Sequence, residues 1–290
     1  MKNILFCGDK KVFDGILSCM LSILMRTESR EPFCFYIFTM DICVRQGMSQ
    51  YMSIDRSQAE YLGQIAQSYH PENRVERVDV TKLYEREFKG CPNENAYCSP
   101  YTLLRLLADL LPCMPDKLLY LDVDILFRRD ISLLYDIDVE DYEYAAARDH
   151  YGKYLVNPNY INAGVLLLNM RKIRETGLFE KARELIRHRK LVFADQSAIY
   201  RSTFRKKILP QRFNDQKFLH KHTVVRHFSR RLFYLPYPHT ENIKQWQVGR
   251  MLSVFHYICF EDILQEYIFL KKAYERFGTG GFNEGDCRKS

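Results

Sequence analysis

Two carboxylates separated by a single residue follow a short apolar run in the middle of the chain. The run 118–121 leads directly into Asp122, Val123 and Asp124. Because side chains two positions apart on an extended backbone point the same way, both acids can approach one divalent cation from one side. Two carboxylates at the end of a buried strand are costly without a cation. The spacing therefore indicates a metal site, with a solvated pair of acids as the alternative.

Asp-x-Asp after an apolar strand occurs in two classes of enzyme. In haloacid-dehalogenase-like phosphatases the first aspartate is a nucleophile near the start of the chain, and Thr or Val stands two positions after the second. Here that position is Leu126, and the motif lies well inside the chain. In GT-A glycosyltransferases the pair holds the metal that binds a diphosphate, and a nucleotide-binding half precedes it. The elements before Asp122 therefore favour the second class.

Alternating strand and helix patterns surround this motif. Short apolar or β-branched runs predict strands at 4–7, 33–39, 74–80, 117–121, 143–148, 164–169, 206–209 and 223–228. Helical periodicity predicts one helix capped by Asp14, one that begins at Ser99-Pro100, and others at 57–68, 171–189, 195–202 and 262–277. This alternation is typical of an α/β fold with a mostly parallel central sheet. Nucleotides bind at the carboxyl ends of such strands, so the residues to inspect are Asp9, Asp122, Asp149 and His227.

The composition allows one large domain. The chain has 290 residues, of which 47% are hydrophobic, enough for a substantial core. We expect a catalytic domain over residues 1–246 and a helical C-terminal extension with a flexible tail over 247–290. The net charge of +7 suits a diphosphate, an anionic membrane or nucleic acid. No nucleic-acid-binding motif accompanies it, so we expect no nucleic-acid partner.

Cysteine usage and the apolar stretches bear on the cellular compartment. The nine cysteines include no Cys-x-x-Cys pair, which favours reduced thiols in a cytoplasmic protein. The apolar run at the amino terminus is too short for a signal peptide, and the longest apolar stretch, 15–25, is about half of a membrane span. We therefore predict a cytoplasmic protein and leave open a peripheral contact with the inner face of the membrane.

Seven short segments resemble, in order, the motifs of glycosyltransferase family 8, which includes bacterial lipopolysaccharide galactosyltransferases and the glycogenins. The segments are 6–9, 101–105, 119–124, 162–169, 195–197, 212–214 and 226–228. The resemblance covers residues 1–246. It implies a GT-A (Rossmann-like) fold and a retaining transferase that moves glucose or galactose from UDP-glucose or UDP-galactose to a glycan or glycolipid acceptor.

The resemblance also implies roles for individual residues. Asp122, Asp124 and His227 would bind the metal, and His256 is the alternative third ligand. An imidazole ligand favours Mn²⁺ over Mg²⁺, although Mg²⁺ stays open. The implied donor-binding residues are Asp9, Arg105, Asp122, Val123, Asp149, Asn162, Asp195 and Lys244. The implied catalytic residues are Gln196 and Asp195. Because a Gln is a poor nucleophile, we expect a front-side mechanism, in which the departing diphosphate deprotonates the acceptor hydroxyl.

The chain departs from the family pattern at two places. Lys10 and Lys11 follow the first aspartate, where the family has an acidic or amide residue and Tyr. The late histidine is usually followed closely by Lys-Pro-Trp, whereas the match here is Lys244-Gln245-Trp246, after a segment 230–242 that we expect to reshape the acceptor cleft. A metal-dependent nucleotidyltransferase or phosphatase, a non-catalytic UDP-sugar-binding protein and a homodimer stay open.

Overall fold

The computed structural model describes residues 1–42, 52–94 and 99–278. Within these ranges the strands are β1 (Lys2–Cys7), β2 (Phe33–Thr39), β3 (Arg74–Asp79), β4 (Lys117–Leu121), β5 (Ile125–Phe127), β6 (Tyr144–Ala147), β7 (Val165–Asn169), β8 (Lys206–Leu209), β9 (Val225–His227), β10 (Arg231–Phe233) and β11 (His239–Glu241). The α-helices of the same ranges are α1 (Phe13–Arg26), α2 (Arg56–Tyr69), α3 (Thr81–Phe88), α4 (Ser132–Tyr135), α5 (Gly152–Leu155), α6 (Met170–Thr176), α7 (Leu178–His188), α8 (Ala194–Arg201), α9 (Val248–Phe255) and α10 (Glu261–Phe277). Stretches of 3-10 helix cover Lys10–Val12, Pro100–Leu110, Gln211–Phe213 and Ile258–Phe260.

Seven of the described strands form one central sheet in the order β3-β2-β1-β4-β7-β6-β8. The neighbours β3, β2, β1 and β4 run parallel, as do β6 and β8, whereas β7 is antiparallel to both β4 and β6. The predicted α/β fold with a mostly parallel sheet is confirmed. Because β7 runs against the others, the residues that lead into it lie at the edge where β1, β4 and β6 end.

The strands of this sheet are continuous apolar runs because both faces are covered. On β4, Leu119 belongs to the core beneath α1, α2 and α10, whereas Leu118 and Tyr120 belong to the core beneath the 3-10 helix Pro100–Leu110 and helices α6 to α8. All five residues of β7 are buried. The alternation of side chains along an extended backbone thus supplies both cores from the same strand.

The helices beyond residue 246 pack against the first core. Tyr267 and Leu270 of α10 are buried there with residues of α1 and α2. The Tyr61 hydroxyl of α2 donates a hydrogen bond to the carbonyl of Leu270 at 2.7 Å, and Lys271 pairs with Asp14 of α1 at 2.6 Å. The predicted flexible tail falls mainly on 279–290, which lie outside the described residues.

Three helix predictions need correction. The helix predicted from Ser99-Pro100 is a 3-10 helix, because Leu residues three apart stack on the sheet in the three-residue period of that conformation. The helix predicted over 171–189 divides at Gly177, whose φ of 68° ends α6 in the left-handed conformation that glycine adopts most easily. Asp14 does not cap α1 but lies in its first turn, and Asp9 caps the preceding 3-10 helix.

Two further observations concern the compartment. Among the described residues, no helix combines the length and apolar character needed to cross a bilayer. The six cysteines within the described ranges are free thiols. The other three, Cys43, Cys98 and Cys287, lie outside those ranges.

Candidate active site

Three potential metal ligands meet at the carboxyl edge of the sheet. Asp122 follows β4, and Asp124 immediately precedes β5. Strand β5 pairs with β9 in a register that sets Ile125 opposite His227, so the imidazole returns to the aspartates. Nε2 of His227 lies 3.1 Å from Oδ1 of Asp124 and 3.8 Å from Oδ2 of Asp122. Of the two candidate histidines, His227 belongs to this cluster, whereas His256 is exposed at the end of α9.

The three groups fit a divalent cation. One ligand atom from each lies within 4.8 Å of the other two. Ligand atoms held about 2.1 Å from one ion lie about 3 Å apart when adjacent and about 4 Å apart when opposite. The separations of 3.1 and 3.8 Å from the imidazole fall in that interval. Two carboxylates with an imidazole suit Mn²⁺ and other transition ions, and they can also hold Mg²⁺.

A chain of hydrogen bonds sets the imidazole tautomer. The Gly164 N–H donates to Oδ1 of Asn162 at 3.0 Å, and the same oxygen accepts from Nδ2 of Asn214 at 2.9 Å. Oδ1 of Asn214 therefore faces Nδ1 of His227, at 3.0 Å. Because an amide oxygen can only accept, Nδ1 carries a proton, and Nε2 is the nitrogen turned to the aspartates. Asn214 is fully buried, so this chain is shielded from water.

Gly164 leaves no room for a side chain beside the ligands. A Cβ at this position would lie 2.4 Å from Cε1 of His227 and 2.7 Å from Oδ2 of Asp122. The Gly164 carbonyl also accepts a hydrogen bond from the Asp122 N–H at 2.8 Å. A glycine is needed here because the backbone approaches two ligands closely.

Lys244 is the cation nearest to the ligand cluster. Its ammonium pairs with Oδ2 of Asp124 and donates to the Phe228 carbonyl at 3.1 Å. Burial alone would raise the pKa of Asp124, but the Lys244 ammonium and the His227 imidazole outweigh burial and hold that pKa well below its usual range. Asp124 therefore stays ionised and able to bind a cation at neutral pH.

Arg105 lies behind the cleft wall and supports Asp122 from below. Its guanidinium is 3.2 Å from Asp122, 3.3 Å from Asp195 and 3.7 Å from the centre of the Tyr120 ring. The Tyr120 hydroxyl donates to Oδ1 of Asp122 at 2.6 Å. Burial disfavours the charge of Arg105, yet Tyr120 and the carboxylates of Asp195 and Asp122 hold its pKa above the ordinary value. Burial raises the pKa of Asp195, and Arg105 opposes that rise.

The opposite wall is built from polar side chains that hold one another. Oδ2 of Asp149 accepts from Nδ2 of Asn162 at 2.9 Å, and Oδ1 accepts from the Gly152 N–H at 2.7 Å. Oε1 of Gln196 accepts from the Ala163 N–H at 3.0 Å. These bonds orient Asp149, Asn162 and Gln196 before any ligand binds.

These groups surround a cleft of about 540 Å³. The predicted residues that line it are Asp9, Asp122, Val123, Asp124, Asp149, Asn162, Gln196, His227 and Lys244. Arg105 and Asp195 are buried behind it. Its volume falls within the range of about 300–1,000 Å³ that is usual for small-molecule sites.

Several residues of the site had no role in the sequence interpretation. Asn214 stands in the sequence only as part of the motif 212–214, and Tyr120 only as part of the motif 119–124. Phe193, Ser229 and Arg230 also line the cleft. The motif position of Asn214 was the one available signal, because burial beside a distant histidine depends on the tertiary fold.

The sequence pattern described as Glycosyl transferase family 8 matches residues 3–217 of the chain. The chain belongs to glycosyl transferase family 8. This confirms the resemblance predicted from the sequence motifs and supports a transferase enzyme.

Two curated relatives agree with the family. A putative glycosyltransferase of Haemophilus influenzae is 27% identical over 190 residues, covering 62% of this chain and 52% of that protein. A lipopolysaccharide 1,2-glucosyltransferase of Escherichia coli is 26% identical over 177 residues, covering 56% of this chain and 50% of that protein. The chain thus spans about half the length of these relatives.

Solved structures of glycosyltransferases share the fold. The galactosyltransferase LgtC, crystallised with donor and acceptor sugar analogues, is 20% identical with a TM-score of 0.62, covering 91% of this chain and 95% of that chain. The bifunctional glycosyltransferase WbbM, in its apo form, is 18% identical with a TM-score of 0.68, covering 95% of this chain and 51% of that chain. The predicted GT-A fold is confirmed.

Proposed function

We propose that this family 8 chain is a retaining, metal-dependent hexosyltransferase that uses UDP-glucose or UDP-galactose. The observation that carries the proposal is the meeting of Asp122, Asp124 and His227 in a cleft of about 540 Å³. The Escherichia coli relative is named a lipopolysaccharide 1,2-glucosyltransferase, which supports glucose as the sugar and a glycan or glycolipid as the acceptor. A glycolipid acceptor in turn favours a cytoplasmic protein in peripheral contact with the membrane. We assign the catalytic domain to residues 1–246, and residues 247–290 form its C-terminal extension.

In this proposal the donor lies along the cleft from Asp9 to Gln196. When bound, Mn²⁺ supplies a Lewis acid that stabilises the negative charge of the leaving diphosphate. Lys244 adds a second positive charge beside the same position, at Asp124. Asp9 lies at the far end, next to Lys10 and Lys11, and in this proposal it contacts the uracil. Its carboxylate is oriented by the Lys11 N–H at 3.1 Å.

The reaction breaks the bond between sugar C1 and the β-phosphate oxygen and forms a bond between C1 and the acceptor oxygen. The acceptor proton passes to the departing diphosphate oxygen, so UDP leaves with the proton and the charge balances. Asp149, Asn162 and Gln196 hold the sugar so that the acceptor hydroxyl and the departing diphosphate lie on the same face of C1. Their fixed hydrogen bonds reduce the entropy lost when the reactants are positioned.

The position of Asp195 supports the front-side route over a covalent glycosyl-enzyme. Its carboxylate is buried, pairs with Arg105 at 3.3 Å and does not line the cleft. A nucleophile needs an open approach to C1. Gln196 lines the cleft and has such an approach, but its amide is only weakly nucleophilic. A Gln196→Ala variant should keep measurable activity. Complete loss of activity together with a glycosyl group trapped on Asp195 would overturn this route.

The direct test is calorimetric titration of the chain with UDP, with and without Mn²⁺, followed by measurement of UDP release from UDP-glucose and UDP-galactose. We expect UDP to bind at least tenfold more tightly with Mn²⁺, and UDP to be released slowly by hydrolysis even without acceptor. Asp124→Asn should abolish the Mn²⁺ effect. Asp141→Asn, which removes an exposed carboxylate away from the cleft, is the matched control.

The products separate the rival functions. A nucleotidyltransferase would release pyrophosphate, and a phosphatase would release inorganic phosphate. A non-catalytic binding protein would bind UDP with Mn²⁺ but release nothing from any UDP-sugar. Any of these results would contradict the proposed transfer reaction.

A further inference from the structure

A second cavity, of about 340 Å³, opens beside the candidate donor cleft. The two share the lining residues Asp149, Asn162, Phe193, Ser229 and Arg230. Because these residues include the polar wall around the expected sugar position, a molecule in the second cavity lies next to the reacting carbon.

The hairpin of β10 and β11 forms one side of this cavity. Arg231 and Leu232 of β10 and Thr240 of β11 line it. This hairpin is most of the segment 230–242, which interrupts the family pattern after His227. The departure from the family therefore lies at the second cavity, where an acceptor would bind.

Positive charge dominates the cavity wall. Lys217, Arg230 and Arg231 line it, and Asp149 is the one carboxylate among the lining residues that the structure describes. Both oxygens of Asp149 accept hydrogen bonds from Asn162 and the backbone of α5. Within the described ranges no carboxylate forms an ion pair with Lys217 or Arg231. Two cations are thus left for an anion from outside the protein.

Aromatic and apolar side chains surround these two charges. The Arg231 guanidinium lies 4.8 Å from the Phe255 ring, and its Nε is buried without a hydrogen-bond partner in the described part of the chain. Leu155 and Val156 form an apolar wall whose side chains are 82% and 51% exposed, so they offer contact surface to a ligand. Burial together with the charge of Lys217 lowers the pKa of His150, as a positive potential requires.

We infer that the second cavity is the acceptor subsite and selects an acceptor sugar that carries a negatively charged substituent, a phosphate or a carboxylate. The inference rests on the proposed function, because it is the donor cleft next door that makes this cavity an acceptor site. Lys217 and Arg231 bind the anionic group, and the apolar wall contacts the rest of the acceptor.

The test measures the affinities of glucose, glucose 6-phosphate and glucuronic acid by calorimetry with the full chain saturated in UDP and Mn²⁺. Saturation matters because it closes the diphosphate position to the phosphate probe. We expect at least one anionic sugar to bind about tenfold more tightly than glucose, and 0.5 M salt to reduce this preference. Binding of the phosphate alone, the carboxylate alone or both identifies which anion the cavity accepts.

Substitutions test whether Lys217 and Arg231 cause the preference for anionic sugars. Lys217→Gln with Arg231→Gln should reduce the ratio of anionic to neutral affinity to about one, whereas Arg231→Lys should retain part of it. Lys221→Gln, an exposed lysine of the same loop that does not line the cavity, is the matched control and should keep the full ratio. A ratio within one protein is insensitive to a small loss of folded fraction.

Two results would overturn the inference. One is equal affinity of the wild-type chain for all three sugars, and the other is an anion preference that persists in the double variant. Failure of the proposed function appears separately, as an absence of UDP release from every UDP-sugar. Anion selectivity that is found without UDP release would make the cavity an anion site but not an acceptor subsite.

Discussion

Replacing Gly164 by alanine tests the geometry of the ligand cluster with a single methyl group. The added Cβ would lie 2.4 Å from Cε1 of His227 and 2.7 Å from Oδ2 of Asp122. Ordinary carbon contacts begin at about 3.5 Å, so the imidazole must move by about 1 Å or the backbone must shift by a similar amount. Either movement separates His227 from the two aspartates.

The size of the effect follows from that displacement. Ligand sites tolerate errors of about 0.5 Å, and disturbing the groups that orient a metal ligand costs about 10–100-fold in metal affinity. We expect the same loss here, equivalent to about 1.4–2.8 kcal/mol. Overpacking should also lower the free energy of unfolding by about 1–3 kcal/mol, which leaves the domain folded.

The assay is a Mn²⁺ titration followed by electron paramagnetic resonance, with UDP present, together with urea unfolding. Gly63→Ala is the matched control, because its Cβ would meet only Val75, at 4.0 Å. That substitution within α2 should leave Mn²⁺ affinity unchanged and raise the free energy of unfolding by about 0.5–1 kcal/mol. A folded Gly164→Ala variant that binds Mn²⁺ within twofold of the wild type would refute the ligand assignment.

Two further substitutions probe the supports of the site, and a third probes an ion pair that holds the 3-10 helix Pro100–Leu110 to α7. Lys244→Met should raise Mn²⁺ affinity several-fold without UDP, because the ammonium no longer competes for Asp124, and it should lower the calorimetric affinity for UDP when Mn²⁺ is present. Asn214→Ala should reduce Mn²⁺ affinity about 10–100-fold with little change in the far-ultraviolet circular dichroism, because it leaves Nδ1 of His227 without its acceptor. Arg183→Met should lower the free energy of unfolding by about 3–5 kcal/mol in urea, because it leaves the largely buried Asp109 carboxylate without its cation. An unchanged value in the matching assay would contradict the reasoning in each case.

The sheet and the two aspartate ligands can be predicted from local sequence. A run of apolar residues that ends in Asp122-Val123-Asp124 implies a buried strand, and the alternation of strands with helices implies that neighbouring strands end at one edge. Both inferences need only the period of the side chains. The position of His227 near the end of an apolar strand makes it a residue to inspect, but its role as a ligand comes from the resemblance to the family.

The remaining parts of the site depend on contacts across the fold. Asn214 reaches His227 because the neighbouring Asp215 pairs with β9, and Arg105 reaches Asp122 because its 3-10 helix packs on the face of the sheet that carries Tyr120. The predicted donor-binding role of Arg105 stays a prediction, and the structure adds its contact with Asp122 from a buried position. Single-sequence patterns carry no information on such pairings, because the partners lie about 13 to 17 residues apart without a shared period.

The pairing of Lys244 with Asp124 can couple the binding of the metal to the binding of the nucleotide. A divalent cation at Asp124 and the Lys244 ammonium compete for the same carboxylate, so metal binding releases the ammonium. The released Lys244 ammonium then lies beside the position where a diphosphate would bind. The diphosphate can pair with this ammonium without first breaking its ion pair with Asp124. Since coupling between two ligands is reciprocal, a diphosphate that binds Lys244 must favour the metal by the same factor. The metal and the nucleotide should therefore bind cooperatively, and the lysine rather than direct contact alone carries part of that cooperativity.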